Sequence, residues 1–240
     1  MQNDVFRIFI GWDSRFPLPA AVLADSIVKL ASVPVAITYL NLKTLQEEIG
    51  FNRPHDPLQS TEFTYTRFLV PYLCNFEGTA LFLDNDMLCL TDIAELANLP
   101  MDGYTLRVVK HDHNVVDGSI KMYGAVQTAY PRKNWSSMML MDCSRLRLWS
   151  KQYVEQQTGA CLHRFQDLSD AVIGELPAGW NELDRMDANT KLIHWTSGGP
   201  WYEQYKDCPH ADVWRAARDE YLKVQHITRE NTEQAAAGQQ

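Results

Sequence analysis

The sequence has few basic residues for its length and no run of them. Its 240 residues include 22 Lys and Arg against 30 Asp and Glu, which gives a formal net charge of −8. Proteins that bind duplex nucleic acid neutralise its phosphates with lysine and arginine, and anionic membrane surfaces are bound by polybasic segments. The composition therefore argues against a nucleic-acid partner and against electrostatic attachment to a membrane.

Long apolar runs are also missing. No run approaches the ~20 residues that a transmembrane helix needs, and the first residues lack the cationic region and apolar stretch of a secretory signal. The cysteines are scattered and lack CxxC spacing, so they predict neither a disulfide framework nor a zinc site. We interpret them as free thiols in a reducing cytoplasm: Cys74, Cys89, Cys143, Cys161 and Cys208.

Apolar and aromatic residues, in contrast, are plentiful. Hydrophobic residues make up 45% of the chain, which is enough for one large α/β domain or a domain with a small lobe. A strand over 5–10, a helix over 20–30 and a strand over 35–40 alternate, and this order favours a parallel, doubly wound sheet. Further strands are predicted over 79–83, 104–110, 138–141 and 191–195, and helices over 63–73, 93–98, 149–157, 168–173 and 212–224, with a loop over 50–61.

The chain shows no internal repeat and no interior linker. We therefore predict one domain over residues 1–227. The remainder, 228–240, ends in small and polar residues and is predicted to be a disordered tail.

Two acidic residues, Asp84 and Asp86, follow the predicted apolar strand 79–83 directly. In open α/β sheets ligands bind beyond the carboxyl ends of the strands. Two carboxylates so close repel each other unless a cation lies between them or one stays protonated, and oxygen ligands suit Mg²⁺ or Mn²⁺. Taken alone, such a pair is commonly two turn-forming acids. An aspartyl-phosphate phosphatase also places this pattern after a strand, but the following Met87–Ile93 segment favours metal binding.

Two segments around this acidic pair resemble glycosyltransferase family 8, the group of glycogenin and the bacterial lipopolysaccharide galactosyltransferases. They are YTRFLVPYL at Tyr65–Leu73 and ALFLDND at Ala80–Asp86. A third, HWTSGGPW at His194–Trp201, is similar to the family segment whose histidine completes a metal site. Similar segments follow in order between residues 5 and 205, and the segment 127–137 looks like a bacterial branch.

The resemblance implies a GT-A fold, with a Rossmann-like mixed sheet flanked by helices. It implies a retaining glycosyltransferase that moves a hexose from a UDP-sugar to an unknown acceptor: a glycan, a lipid-linked sugar or a protein. Mn²⁺ or Mg²⁺ would be held by Asp84, Asp86 and His194. The expected location is the cytoplasm, with peripheral attachment to a membrane left open.

Further site residues follow from the same resemblance. Arg67 would lie near the nucleotide and the acidic pair, unless it forms only a surface salt bridge. A lysine of the family pattern is replaced by Gly199, so Arg67, Lys110 or Lys191 would supply the cation at the diphosphate. The remaining nucleotide-binding candidates are Gly11, Trp12 (alternatively a core residue), Asp13, Asn85, Gly198 and Gly199. The residues expected at the sugar are Asn134, Ser136, Ser137, Gln166, Asp167 and Asp170, and those expected to be catalytic are Asn134, Ser137, Gln166 and Asp167.

Some features stay open. His111, Asp112 and His113 end a predicted strand, but alternate residues of a strand face opposite sides, so nucleotide or acceptor contacts are favoured over a second metal site. Trp180 is interpreted as packing, and the role of Asn181 is undecided. Two other functions remain: a non-catalytic nucleotide-sugar-binding or assembly protein, and a metal-dependent phosphatase or nucleotidyltransferase.

Overall fold

The computed structural model describes residues 5–57, 59–111 and 132–223. Its strands are β1 (Phe6–Gly11), β2 (Val35–Leu40), β3 (Thr79–Leu83), β4 (Met87–Cys89), β5 (Leu106–Val108), β6 (Met138–Asp142), β7 (Ile173–Glu175), β8 (Glu182–Leu183) and β9 (Leu192–His194). Its helices are α1 (Pro17–Leu30), α2 (Leu42–Ile49), α3 (Val70–Leu73), α4 (Ala94–Ala97), α5 (Lys151–Gln156), α6 (Gly159–His163) and α7, described over 211–223. None of these helices is long and apolar enough to cross a membrane.

The main sheet has six strands in the order β2-β1-β3-β6-β5-β7. β1 lies parallel to β2 and β3, as the alternation of elements predicts, but β6 runs antiparallel to both of its neighbours. The sheet is therefore mixed, which agrees with the fold that the family resemblance implies. Because Met138 at the start of β6 pairs with Leu83 at the end of β3, the turn before β6 lies beside the acidic pair.

A second, smaller sheet was not predicted. It has the order β4-β9-β8 and begins immediately after Asp86. β4 and β9 are antiparallel, and Met87 pairs with His194. The backbone N–H of Trp195 donates to the carbonyl oxygen of Asp86 at 2.9 Å. This short sheet therefore brings Asp86 next to His194, although the two residues are more than one hundred positions apart in the sequence.

Several sequence-predicted helices differ from the observed elements. The helix expected over 63–73 begins later, with a 3-10 turn over Thr66–Leu69 that leads into α3. The helix expected over 168–173 is instead a 3-10 turn over Asp170–Val172 followed by β7, because pairing with β5 at the sheet edge outweighs local helical spacing.

Two helices, α2 and α6, are absent from the sequence-based prediction. The side chain of Asn41 caps α2 by accepting from the N–H of Thr44, and Gly50 ends it with a left-handed φ of 64°. Thr158 caps α6 in the same way, through the N–H of Cys161. Both caps are polar residues of the preferred types, but neither helix exceeds two or three turns, so its apolar face is too short to reveal it.

Strand β3 divides the core. Phe82 packs with the cluster that includes Phe68, Trp149 and Phe165, whereas Leu81 packs on the other face against α1. Residues 80–83 have no exposed surface. This strand carries the acidic pair at its end, so its burial fixes the position of the site.

Replacing Leu81 by alanine should destabilise the protein by about 2–5 kcal/mol, because the change leaves a cavity in a closely packed core. The free energy of unfolding in urea, measured by circular dichroism, tests this expectation. The same type of truncation at Val28, whose surface is 59% exposed, should change the free energy by less than about 0.5 kcal/mol. A small loss for Leu81→Ala would show that β3 is not central to stability.

Candidate metal and nucleotide site

Three side chains converge at the carboxyl end of β3. Asp84 follows β3, Asp86 precedes β4, and His194 ends β9. One ligand atom from each lies within 4.8 Å of the others. Two carboxylate oxygens and an imidazole nitrogen at this spacing are a suitable donor set for a divalent cation such as Mn²⁺. The structure thus brings together the three residues that the sequence predicts as metal ligands.

Each carboxylate of this triad faces a cationic partner. Oδ1 of Asp86 lies 3.1 Å from Nε2 of His194, and Oδ1 of Asp84 lies 2.8 Å from a terminal guanidinium nitrogen of Arg67. Both Oδ1 atoms are shielded from solvent. Burial opposes the charged forms of Asp86 and His194, but their mutual attraction outweighs it. The pKa of Asp86 is therefore lowered and the pKa of His194 is raised.

Arg67 is held firmly in this position. Its guanidinium donates to the carbonyl oxygens of Ser136 at 2.9 Å and Thr64 at 3.1 Å. The rings of Phe63 and Phe82 lie about it, with centroids 5.3 Å and 5.1 Å away. Only 7% of the side chain is exposed, so the open alternative of a surface salt bridge does not describe it.

The other two cations proposed for the diphosphate lie elsewhere. The ammonium group of Lys191 pairs with Glu95, and that of Lys110 lies 5.8 Å from the ring centroid of Trp135, in a cavity away from the triad. Arg67 is thus the one of the three candidates that the structure places against the metal ligands.

A cavity of about 560 Å³ opens beside the triad. It is lined by three residues from the turn before β6, Asn134, Ser136 and Ser137, whose roles at a sugar stay predictions. The opposite wall carries Arg164 and His163, which sequence analysis missed because a histidine inside a short helix gives no pattern. The cavity is lined with hydroxyl, amide and carboxylate groups, which are suited to hydrogen bonding a sugar.

A smaller pocket adjoins the first and shares Asp86 with it. Three of the predicted nucleotide-binding residues, Asp13, Asn85 and Gly198, line this pocket, and their nucleotide contacts stay predictions. Its aromatic wall is formed by Phe16 and Tyr202, whose ring centroids are 4.4 Å apart. The sequence predicts Trp12 as the aromatic residue at the nucleotide. Trp12 instead packs against Tyr39, with 5.0 Å between the ring centroids, so the open alternative of a packing residue fits it better.

Two glycines of the site have close neighbours. A Cβ atom at Gly11 would lie 2.4 Å from the ring of Phe63, and one at Gly199 would lie 2.0 Å from the indole of Trp201. The indole of Trp201 therefore fills the space that a side chain at position 199 would need, and it also contacts Trp195 and Trp214.

Three predicted sugar contacts lie away from the described part of the cavity. Gln166 is exposed, and Asp170 pairs with Arg132. Asp167 accepts a hydrogen bond of 2.6 Å from the indole N–H of Trp149. Catalytic roles for Gln166 and Asp167 remain predictions. Of the proposed second metal cluster, His111 lies in the other cavity, whereas Asp112 and His113 fall outside the described residues.

The fold is that of GT-A glycosyltransferases. A bifunctional glycosyltransferase, WbbM, matches 91% of this chain and 51% of its own length, with a TM-score of 0.64 and 13% identity. The galactosyltransferase LgtC, solved with donor and acceptor sugar analogues, matches 90% of this chain and 96% of its own length, with a TM-score of 0.56 and 14% identity. GlyE of Streptococcus pneumoniae matches 94% of this chain and 64% of its own length, with a TM-score of 0.59 and 12% identity.

The sequence comparisons assign the chain to a family, whereas the structural comparisons show its fold. Residues 39–181 match the family model of glycosyl transferase family 8. The chain is also 44% identical over 232 residues to Protein CDI of Arabidopsis thaliana, covering 92% of this chain and 89% of the plant protein. The chain belongs to glycosyltransferase family 8, and it is a glycosyltransferase.

The free energy of unfolding should fall as the pH drops from about 6.5 towards 3, in part because of His163. Burial, aided by Arg67 and Arg53, lowers the pKa of this histidine to about 3. The unfolded chain therefore binds one more proton in this window, and stability is lost as the pH falls through it. Replacing His163 by glutamine should reduce the slope by up to about 1.4 kcal/mol per pH unit.

Urea unfolding of the wild type and the His163→Gln variant at pH 4, 5 and 6 measures this difference. The same substitution at exposed His55 controls for a surface change of this type. Equal slopes for the wild type and His163→Gln would contradict the assignment of a half-buried imidazole that stays neutral because its pKa is lowered.

Proposed function

We propose that this glycosyltransferase moves a hexose from a UDP-sugar to an acceptor, with Mn²⁺ or Mg²⁺ held by Asp84, Asp86 and His194. One observation carries the proposal: the three ligand atoms converge within 4.8 Å at the junction of two pockets. Asp86 lines both pockets, so a ligand that spans them passes the metal ligands. A nucleotide sugar that lies along both pockets, with its sugar in the larger one, would place its diphosphate there.

The bound cation would supply Lewis acidity to the leaving diphosphate. Within the chain, Arg67 contributes a fixed positive charge beside Asp84, and its hydrogen bonds to backbone carbonyls keep it there without reorganisation. On the nucleotide side, Asp13 offers an acceptor for a ribose or base donor, and the ring of Phe16 offers an apolar face to the base.

At the sugar, Asn134 and the hydroxyl-bearing turn before β6 would face the anomeric carbon. This carbon becomes oxocarbenium-like as the bond to the diphosphate breaks, and nearby carbonyl, amide and carboxylate oxygens stabilise its positive charge. We expect the anomeric configuration to be retained, as the family resemblance implies. The acceptor is a glycan, a lipid-linked sugar or a protein.

A non-catalytic nucleotide-sugar-binding protein is the second candidate, and the missing lysine favours it. The intact triad of Asp84, Asp86 and His194 weighs against it. The assignments to the cytoplasm and to a bacterial branch stay predictions; the relative described above is a plant protein.

Substituting Asp86 by asparagine should lower metal-dependent release of UDP from a UDP-sugar at least about 100-fold. The amide removes one anionic ligand and leaves His194 without its carboxylate, and Lewis-acid stabilisation of this type is worth several kcal/mol. The measurement is UDP release from a panel of UDP-sugars with and without Mn²⁺, followed by a coupled assay.

The matched control for this substitution is Asp142→Asn, at the far end of β6, where the carboxylate caps the turn at Ser144. This variant should retain UDP release within about twofold, because surface changes remote from a site are usually small. If the wild type binds UDP-sugars tightly but releases UDP from none of those tested, the enzymatic proposal is contradicted and the non-catalytic nucleotide-sugar-binding protein is supported.

A further inference from the structure

The buried side chain of Asn181 connects a metal ligand to the turn before β6. Its Oδ1 lies 2.8 Å from Nδ1 of His194, and its Nδ2 lies 3.0 Å from Oγ of Ser137. The hydroxyl of Ser137 in turn donates to the carbonyl oxygen of Asn134 at 2.7 Å. Asn181 has no exposed surface, so water does not compete for these contacts.

The direction of every hydrogen bond in this relay follows from one group. The carbonyl oxygen of Asn134 accepts only, so the single hydroxyl proton of Ser137 points to it. The oxygen of Ser137 is left to accept, which assigns the NH₂ group of Asn181 to that side. The amide oxygen of Asn181 therefore faces His194, and Nδ1 of the imidazole must carry the proton.

The proton on Nδ1 determines what the other ring nitrogen, Nε2, is able to bind. A neutral imidazole with its proton on Nδ1 has its lone pair on Nε2, the nitrogen that lies towards Asp86. An amide turned the other way would donate to Nδ1 and leave the proton on Nε2, where it would block metal binding. The relay thus keeps the proton on Nδ1, so that Nε2, which faces the carboxylate of Asp86, is the nitrogen that loses its proton when a metal binds.

The backbone at both ends of the relay lies in the left-handed region, with a φ of 54° at Asn181 and of 62° at Asn134. Asparagine is one of the few non-glycine residues that adopt this conformation readily. At both positions the left-handed backbone directs a polar group into the relay.

We propose that Asn181 is a positioning residue that fixes the Nδ1–H tautomer of His194, with Ser137 fixing the orientation of the Asn181 amide. The proposal rests on the proposed function, because it presupposes that His194 binds a metal. It also gives Ser137 a role other than the sugar contact predicted from the sequence.

The first test measures Mn²⁺ affinity by electron paramagnetic resonance of the free ion, with no nucleotide present. Asn181→Leu has a similar volume but offers no acceptor, and it should weaken binding about 10–100-fold, the usual effect of removing such an outer partner. Asn181→Asp keeps an acceptor for Nδ1–H and should stay within about threefold of the wild type. Asn98→Leu, at an exposed asparagine that ends α4, is the control for the Asn-to-Leu exchange itself, and a cooperative unfolding transition of Asn181→Leu controls for its packing.

The second test determines the tautomer of His194 directly. In metal-free protein labelled with ¹⁵N-histidine, ring nitrogen shifts at a pH where the ring is neutral should show Nδ1–H in the wild type and a loss of this preference in Ser137→Ala. The His194 signals are assigned by their absence in His194→Gln. This measurement does not depend on the folding of Asn181→Leu.

The outcomes separate the two proposals. An Nε2–H tautomer in the wild type, or unchanged Mn²⁺ affinity in folded Asn181→Leu, would overturn the role of Asn181. Equal losses in the leucine and aspartate variants would also overturn it, because the amide would then act through packing. A wild-type chain that binds no Mn²⁺ would contradict the proposed function, and the tautomer measurement would still decide the role of Asn181.

Discussion

Electrostatic repulsion between Asp84 and Asp86 is the constraint on which the site depends. Two carboxylates at the end of a fully buried strand repel each other in a medium of low effective dielectric, and they need positive charge close by. The fold places Arg67 against the first and His194 against the second, at 2.8 Å and 3.1 Å. The neighbouring elements place a guanidinium and an imidazole against the two carboxylates. The same arrangement leaves one atom each of Asp84, Asp86 and His194 where a divalent ion can be held.

Two antiparallel pairings bring the distant segments to this point. Met138 opposite Leu83 sets the turn before β6 beside the acidic pair, and Met87 opposite His194 does the same for the end of β9. Asn181 then joins these two segments through side-chain hydrogen bonds. The acidic pair, the turn before β6 and His194 are therefore held by backbone pairing and by the buried amide of Asn181. The geometry of the site does not depend on flexible side chains alone.

Much of the fold and the metal ligands could be predicted from the sequence because their signals are local. The apolar run at 79–83, the acidic pair behind it and the histidine followed by Gly-Gly-Pro-Trp are continuous segments, and their order along the chain carries the family likeness. Short elements such as α6 and β4 gave too few residues for a periodic pattern. The sequence left Trp12 either at the nucleotide or in the core, and only the packing of Trp12 against Tyr39 and of Phe16 against Tyr202 distinguishes the positions of these aromatic rings.

The sequence by itself determined the class of fold, the family and the three candidate metal ligands, because these depend on residue types at fixed local spacings. Only the tertiary structure decided which cation faces the acidic pair, since Arg67, Lys110 and Lys191 are equivalent as charges until their neighbours are known. It also decided that the indole of Trp201 packs against Gly199 and that Asn181 contacts His194. These are contacts between residues far apart in the chain, and their directions are set by hydrogen bonding and close packing that no local pattern records.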